Sequence, residues 1–228
     1  MAAASRSAYP VGRPATAPRY LPRVPTALVV MAKEPRPGRV KTRLCPPLRP
    51  EQAAALAEAA LSDTLAAVAW APASRHLLVL DGSPGPWLPT GFEVIAQRGE
   101  GLAERLANAT RDVGEPLVFV GMDTPQLTRA LLCTALDLLA GSDAILGPTT
   151  DGGYWTIGLR DPDPDVFDGV PMSSAGTAAA QLARLDELGL RTALLDPLRD
   201  VDSYEDAAAV AAAAPWTRFA AAFELLET

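Results

Sequence analysis

"ALVVMAKEPRPGRVKTRL", Ala27 to Leu44, decides how the rest of the chain is read. Its first part is apolar without alternation, the composition of a strand covered on both faces. Its second part carries five basic residues, Lys33, Arg36, Arg39, Lys41 and Arg43, around Gly38, which lets the backbone pass close to a ligand. A buried strand that runs straight into a cationic loop is the arrangement of an α/β sheet whose site lies beyond the carboxyl ends of its strands. The loop lacks the G-x-x-x-x-G-K-[ST] order of a P-loop. Two readings stay open for it: a phosphate site, or a solvated basic loop pairing with acidic surface.

Outward from this stretch, short apolar runs alternate with longer Ala/Leu-rich ones. "PEQAAALAEAALSDTLAAVAWA" predicts a helix, "RHLLVLDG" and "FEVIAQ" predict strands, and "GLAERLANATRDV" a second helix. "PLVFVGMD", "TRALLCTALDLLA" and "SDAILGPT" continue as strand, helix and strand. Asp-Gly-Gly at 151–153 predicts a turn into "YWTIGL". A helix near "GTAAAQLARLDELG", a short strand "RTALLD" and terminal helices from Ser203 complete the chain. The order predicts an α/β domain from residue 27 to 228, with a mostly parallel central sheet and helices on both faces. Residues 1–26 contain five prolines and no acid, which predicts a flexible tail.

At 228 residues and 49% hydrophobic composition, one sizeable domain is sufficient. A net charge of -7 argues against nucleic-acid binding, so an anionic ligand has to meet a local basic site. No apolar run reaches the ~20 residues of a membrane helix, no secretory h-region follows the first arginine, and two separated cysteines form neither a disulfide framework nor a zinc motif. A cytoplasmic protein is expected. The single histidine, His76, heads a strand, so the chemistry has to rest on carboxylates and cations, with or without a metal.

Three stretches that follow strands carry candidate carboxylates. Asp123, in "FVGMDTPQLT", ends the most apolar strand beside Gly121; it either binds magnesium shared with substrate phosphates or caps a turn. Thr128 is placed to cap the next helix. Asp151 is either a base approached past its glycines or a hairpin residue. In "LRDVDSYED", Asp200 and Asp202 flank Val201, and only one of them is expected to face the site; Ser203 and Asp206 also read as a helix capping box.

The motifs "MAKEPRPGRVKTRL", "FVGMDTPQLT", "LGPTTDGGYWTIGL" and "LRDVDSYED", in this order, resemble the small bacterial glycosyltransferase-like family formerly grouped as an uncharacterised conserved domain, some of it associated with arsenosugar biosynthesis. That family is similar to the nucleotide-diphospho-sugar transferase superfamily, with its GT-A (Rossmann-like) fold, and more distantly to 2-phospholactate and molybdenum-cofactor guanylyltransferases. The resemblance implies phosphate-binding roles for Lys41 and Arg43, a metal site of Asp123 completed by Asp202, and Mg2+ or Mn2+ as cofactor. It implies a nucleotide pocket involving Ala32, Lys33, Gly38 and Gly121, together with Gly99, Gly101 and Asn108 from "QRGEGLAERLANA". The implied activity is glycosyl transfer from a nucleotide sugar to a small acceptor, in which Asp151 would serve as base. Two alternatives stand beside it: nucleotidyl transfer from a nucleoside triphosphate, and a non-catalytic nucleotide-binding module.

Overall fold

β1 (Ala27–Lys33) is buried along its first six residues because its two faces meet different helices. Leu28, Val30 and Ala32 pack into one apolar cluster with Ala57, Leu61 and Leu65 of α1 (Pro50–Ala69) and Leu132 and Leu136 of α3 (Arg129–Gly141). Ala27, Val29 and Met31 pack into a second cluster with Leu106 and Val113 of α2 (Gly101–Val113) and Leu185 of α4 (Thr177–Glu187). The period-2 geometry of a strand thus turns one unbroken apolar run into two half-cores.

The computed structural model describes residues 25–227. Residues 1–24 of the expected tail therefore lie outside the described residues. Thr26 is already buried, and its carbonyl accepts the Ser74 N–H at 2.9 Å.

The remaining strands are β2 (His76–Asp81), β3 (Glu93–Ala96), β4 (Leu117–Gly121), β5 (Ala144–Pro148), β6 (Tyr154–Leu159) and β7 (Thr192–Leu194). They form a seven-stranded sheet in the order β3-β2-β1-β4-β6-β5-β7. All neighbours are parallel except β6, which runs antiparallel to both β4 and β5. The Asp151–Gly153 turn makes the β5–β6 hairpin, and β6 then inserts between β5 and β4. The predicted strand through Asp123 stops at Gly121, so Met122 and Asp123 stand clear of the sheet.

α1 begins with proline at its first position and is rich in alanine and leucine, the strongest apolar helix formers. It is apolar on two stripes: Ala53, Leu56 and Ala60 pack away from the sheet, against α5 (Tyr204–Ala213) and α6 (Arg218–Glu227). Asp63 of α1 accepts the first backbone N–H groups of α6, Arg218 at 3.1 Å and Phe219 at 2.9 Å, which satisfies donors a helix start leaves open. Thr128 caps α3 through the Leu131 N–H at 3.2 Å, and the Ser203–Asp206 box opens α5, both as the sequence predicts.

Candidate functional site

Beyond the carboxyl ends of β1 and β4 the strand order reverses, with β2 on the far side of β1 and β6 on the far side of β4. An open crevice at such a switch point is where doubly wound sheets bind ligands. Here it is a cavity of about 800 Å³. Its walls are the loop after β1, the end of β4, the β5–β6 turn, residues 173–177 and the segment before α5.

Lys41 holds the first of these walls to the second. Its backbone is left-handed, with φ 50°, and its side chain is only 9% exposed. The Nζ lies 2.6 Å from Asp123 Oδ1 and donates to the Val201 carbonyl. The Val201 N–H in turn donates to the Asp123 carbonyl at 2.9 Å. Arg43 pairs with Asp202, and both side chains are largely exposed. The two cations that the family resemblance assigns to phosphates are thus each set against a carboxylate.

Asp151 forms the turn that carries it. Its Oδ1 accepts the Gly153 N–H at 2.9 Å and the Thr149 hydroxyl. Gly152, at φ 93°, has no space for a side chain: a Cβ there would lie 2.0 Å from the Ala175 carbonyl oxygen. The glycines therefore let residues 173–176 close over the turn and bring Ser174 to the cavity wall.

Asp200 also lines the cavity, together with Asp202. The expectation that only one of the two could face it is overturned, since residues two apart in extended chain share a side. Val201 between them turns the other way and is buried with α1, α5 and α6. Burial, then the neighbouring Asp151 carboxylate and, more weakly, Asp123, push the Asp200 carboxyl up to about 6, against the opposing effect of Lys41.

At the other end of the cavity lie Gln97 and Arg105, which sequence patterns did not single out. The Gln97 amide donates to the Ala32 carbonyl at 2.8 Å and the Val79 carbonyl at 3.0 Å, and its oxygen accepts from Arg105 at 3.1 Å. Arg105 also pairs with Asp81 at 3.0 Å. Gln97 is the last residue of the predicted strand "FEVIAQ" and directly follows the observed β3, so the strand-end rule that found Asp123 also applies to it. Of the residues expected at a nucleotide pocket, Ala32, Lys33, Gly101 and Gly121 line the cavity, as do Lys41, Arg43, Asp123, Asp151 and Asp202. Gly38, Gly99 and Asn108 are not part of the lining. The Asn108 amide instead donates to the Arg98 carbonyl at 3.0 Å.

Four carboxylates therefore line the cavity, yet among the described residues no three acid, histidine or cysteine groups gather closely enough to hold a metal by themselves. Such a donor set fits a hard cation that takes one or two carboxylates and completes its shell with phosphate and water, as magnesium does. Thr124, beside Asp123, has a buried hydroxyl with no partner among the described residues.

Solved structures share this architecture. A candidate nucleotide-diphospho-sugar transferase from Desulfovibrio desulfuricans G20 is 28% identical, over 89% of this chain and 94% of that one, with a TM-score of 0.79. Rv0371c from Mycobacterium tuberculosis H37Rv, in complex with manganese, is 20% identical over 81% of this chain and 96% of its own, with a TM-score of 0.50. CMP:2-keto-3-deoxy-manno-octonic acid synthetase, complexed with CTP, is 13% identical over 85% and 99%, with a TM-score of 0.54. At these identities the last two share the fold. No curated protein matches the chain. The fold is the Rossmann-like one of nucleotide-using transferases, as the motifs implied. The family model described as "Uncharacterized protein conserved in bacteria (DUF2064)" matches residues 53–174, more than half of the 228-residue sequence, and the chain belongs to that family.

Proposed function

We propose that the protein is a cytoplasmic transferase that moves a glycosyl group from a nucleotide-diphosphate sugar to a small-molecule acceptor. The observation that carries this is the mixed charge of the cavity. Lys33, Arg39, Lys41 and Arg43 of the loop after β1 line it together with Asp123, Asp151, Asp200 and Asp202. Such a cavity suits a substrate that brings both phosphates and a hydroxyl that loses its proton. The likeness to a candidate nucleotide-diphospho-sugar transferase supports the same donor class.

In this reading the acceptor oxygen attacks the anomeric carbon, and the bond from that carbon to the diphosphate oxygen breaks. The acceptor proton passes to the Asp151 carboxylate, which the turn holds at the cavity edge. Lys41 and Arg43 face the charge that builds on the departing diphosphate. Mg2+ or Mn2+ held by Asp123 and Asp202 would supply further neutralisation of that charge. Buried Lys41 also fixes Asp123 in place, so the site is organised before substrate arrives.

Nucleotidyl transfer is the second reading, and the dense basic loop favours it because a triphosphate carries more charge than a diphosphate sugar. A fold neighbour complexed with CTP supports it as well. Calorimetric titration with nucleoside triphosphates and nucleotide-diphosphate sugars, with and without magnesium, separates the two. Tighter magnesium-dependent binding of a nucleotide sugar is expected; preference for the free triphosphate replaces the first reading with the second. Binding of neither removes both.

A further inference from the structure

Asp123 and Gln126 belong to one short turn between β4 and α3. The Leu127 N–H donates to the Thr124 carbonyl at 3.0 Å, Pro125 is buried, and Thr128 caps α3 immediately afterwards. A turn closed by its own hydrogen bond, a proline and a capped helix start has little freedom to move. It offers its polar groups in fixed positions.

Two of those groups reach the same distant segment. The Asp123 carbonyl accepts the Val201 N–H at 2.9 Å, and the Gln126 side-chain amide donates to the Arg199 carbonyl. Only the amide nitrogen can face a carbonyl oxygen, so this contact fixes which way the amide points. The Gln126 amide oxygen is left buried, with no partner among the described residues. Such an oxygen lowers stability, and an apolar side chain of similar length would avoid it. What Gln126 supplies in return is its hold on Arg199.

The Arg199 carbonyl and the Asp200 N–H lie in one peptide plane, so this hold sets the plane from which Asp200 leaves the chain. One residue further on, Val201 is fixed by its N–H, by its carbonyl on Lys41 and by its buried side chain. Asp200 therefore sits between two tethers that both come from the turn carrying Asp123, and Asp202 directly follows the second. Asp123, Asp200 and Asp202 all line the cavity. Gln126 lies outside that lining, so any action it has on the site passes through the backbone.

We propose that Gln126 is a positioning residue: through the Arg199 carbonyl it holds the carboxylates of the segment before α5 at the spacing from Asp123 that a shared divalent cation needs. The inference rests on the reading of Asp123 and Asp202 as metal carboxylates. Partners that orient metal ligands in this way typically change metal affinity by about 10–100-fold when they are removed.

The test compares the full-length wild type with Gln126→Met, which keeps the length of the side chain and removes both the donor and the unpaired oxygen. Three quantities are measured: affinity for Mn2+ alone, by water-proton relaxation; hydrogen exchange of the Val201 amide; and the urea unfolding midpoint. The expected result is a loss of about tenfold or more in Mn2+ affinity and exchange faster by about tenfold or more at Val201, with the midpoint unchanged or raised. A purely structural residue would lower the midpoint, and weaker Mn2+ binding that only accompanies a lowered midpoint overturns the proposal. Unchanged Mn2+ affinity overturns it as well, whatever happens to the exchange rate. If the wild type binds no Mn2+, the metal reading falls, and the Val201 amide alone decides: faster exchange in the variant keeps Gln126 as the residue that places the segment, and an unchanged rate removes that role.

Discussion

Lys41 couples the chemistry of the site to its construction. An ammonium this buried needs partners for its charge and its protons, and Asp123 and the Val201 carbonyl supply them. Lys41→Ala leaves Asp123 without its cation and Val201 without its donor. We expect transfer activity to fall by about 10²–10³, as for loss of a preorganised electrostatic group, and stability to fall by about 1–3 kcal/mol. Retained activity in this variant would remove Lys41 from the mechanism. Asp200 gives a second prediction at the same scale. Folding raises its carboxyl from 3.8 to about 6, so the folded protein holds that proton more tightly. The resulting stability is fully present below pH 3.8 and is lost as the pH rises through about 6. Asp200→Asn cannot ionise, so it should be more stable than wild type at pH 8, by about 1 kcal/mol once solvent screening is allowed for, and equal to it near pH 3.5. Urea midpoints at the two pH values check this; the same gain at both would show that the effect is not the charge. Asp123 was legible in the sequence because it closes an apolar run at the sheet's carboxyl edge. Asp200 was not, because its neighbours Asp151 and Asp123 are 49 and 77 residues away in sequence and only the fold brings their charges together.

At the scale of elements, legibility followed the range of the forces involved. α2 lies where "GLAERLANATRDV" places it, since its signals are local: apolar spacing and a left-handed Gly114 at its end. The position of β6 between β4 and β5 was not legible, because strand pairing is decided by contacts distant in sequence and the turn fixes only the β5–β6 partnership. The same turn shows how an element shapes the site. Residues 173–176 can cover the hairpin only because Gly152 has no side chain and adopts φ 93°. Gly152→Ala combines a strained backbone with a Cβ 2.0 Å from the Ala175 oxygen, so the covering segment must move. We expect a loss of about 2 kcal/mol or more in unfolding free energy, together with weaker ligand binding from displacement of Ser174 and Asp151. A variant with unchanged stability and affinity would mean that the segment shifts freely and does not shape the cavity.

At the scale of the whole molecule, the cavity joins parts that lie far apart in the sequence. The loop after β1, the end of β4, the β5–β6 turn and the segment before α5 each contribute a wall, and contacts such as Lys41 with Asp123 and Val201 tie these walls together. A ligand that spans the cavity therefore binds the folded chain and not the unfolded one, and its binding free energy is added to global stability. At a ligand concentration of about 100 times Kd the gain is about 2.7 kcal/mol, which for a domain of this size corresponds to a rise in Tm of roughly 5–10 °C. We expect that rise with a phosphorylated nucleotide and magnesium, a smaller one with the nucleotide alone, and none with the unphosphorylated nucleoside. The effect should weaken at high salt, because a molecule of net charge -7 attracts an anion only through its local cations, of which Lys33 and Arg39 are exposed to screening. Thermal unfolding across these ligands at low and high ionic strength checks the whole chain of reasoning at once. A shift with the nucleoside equal to that with the nucleotide would place the binding energy in contacts to base and ribose instead of the phosphates, and would leave the cationic loop without its ligand.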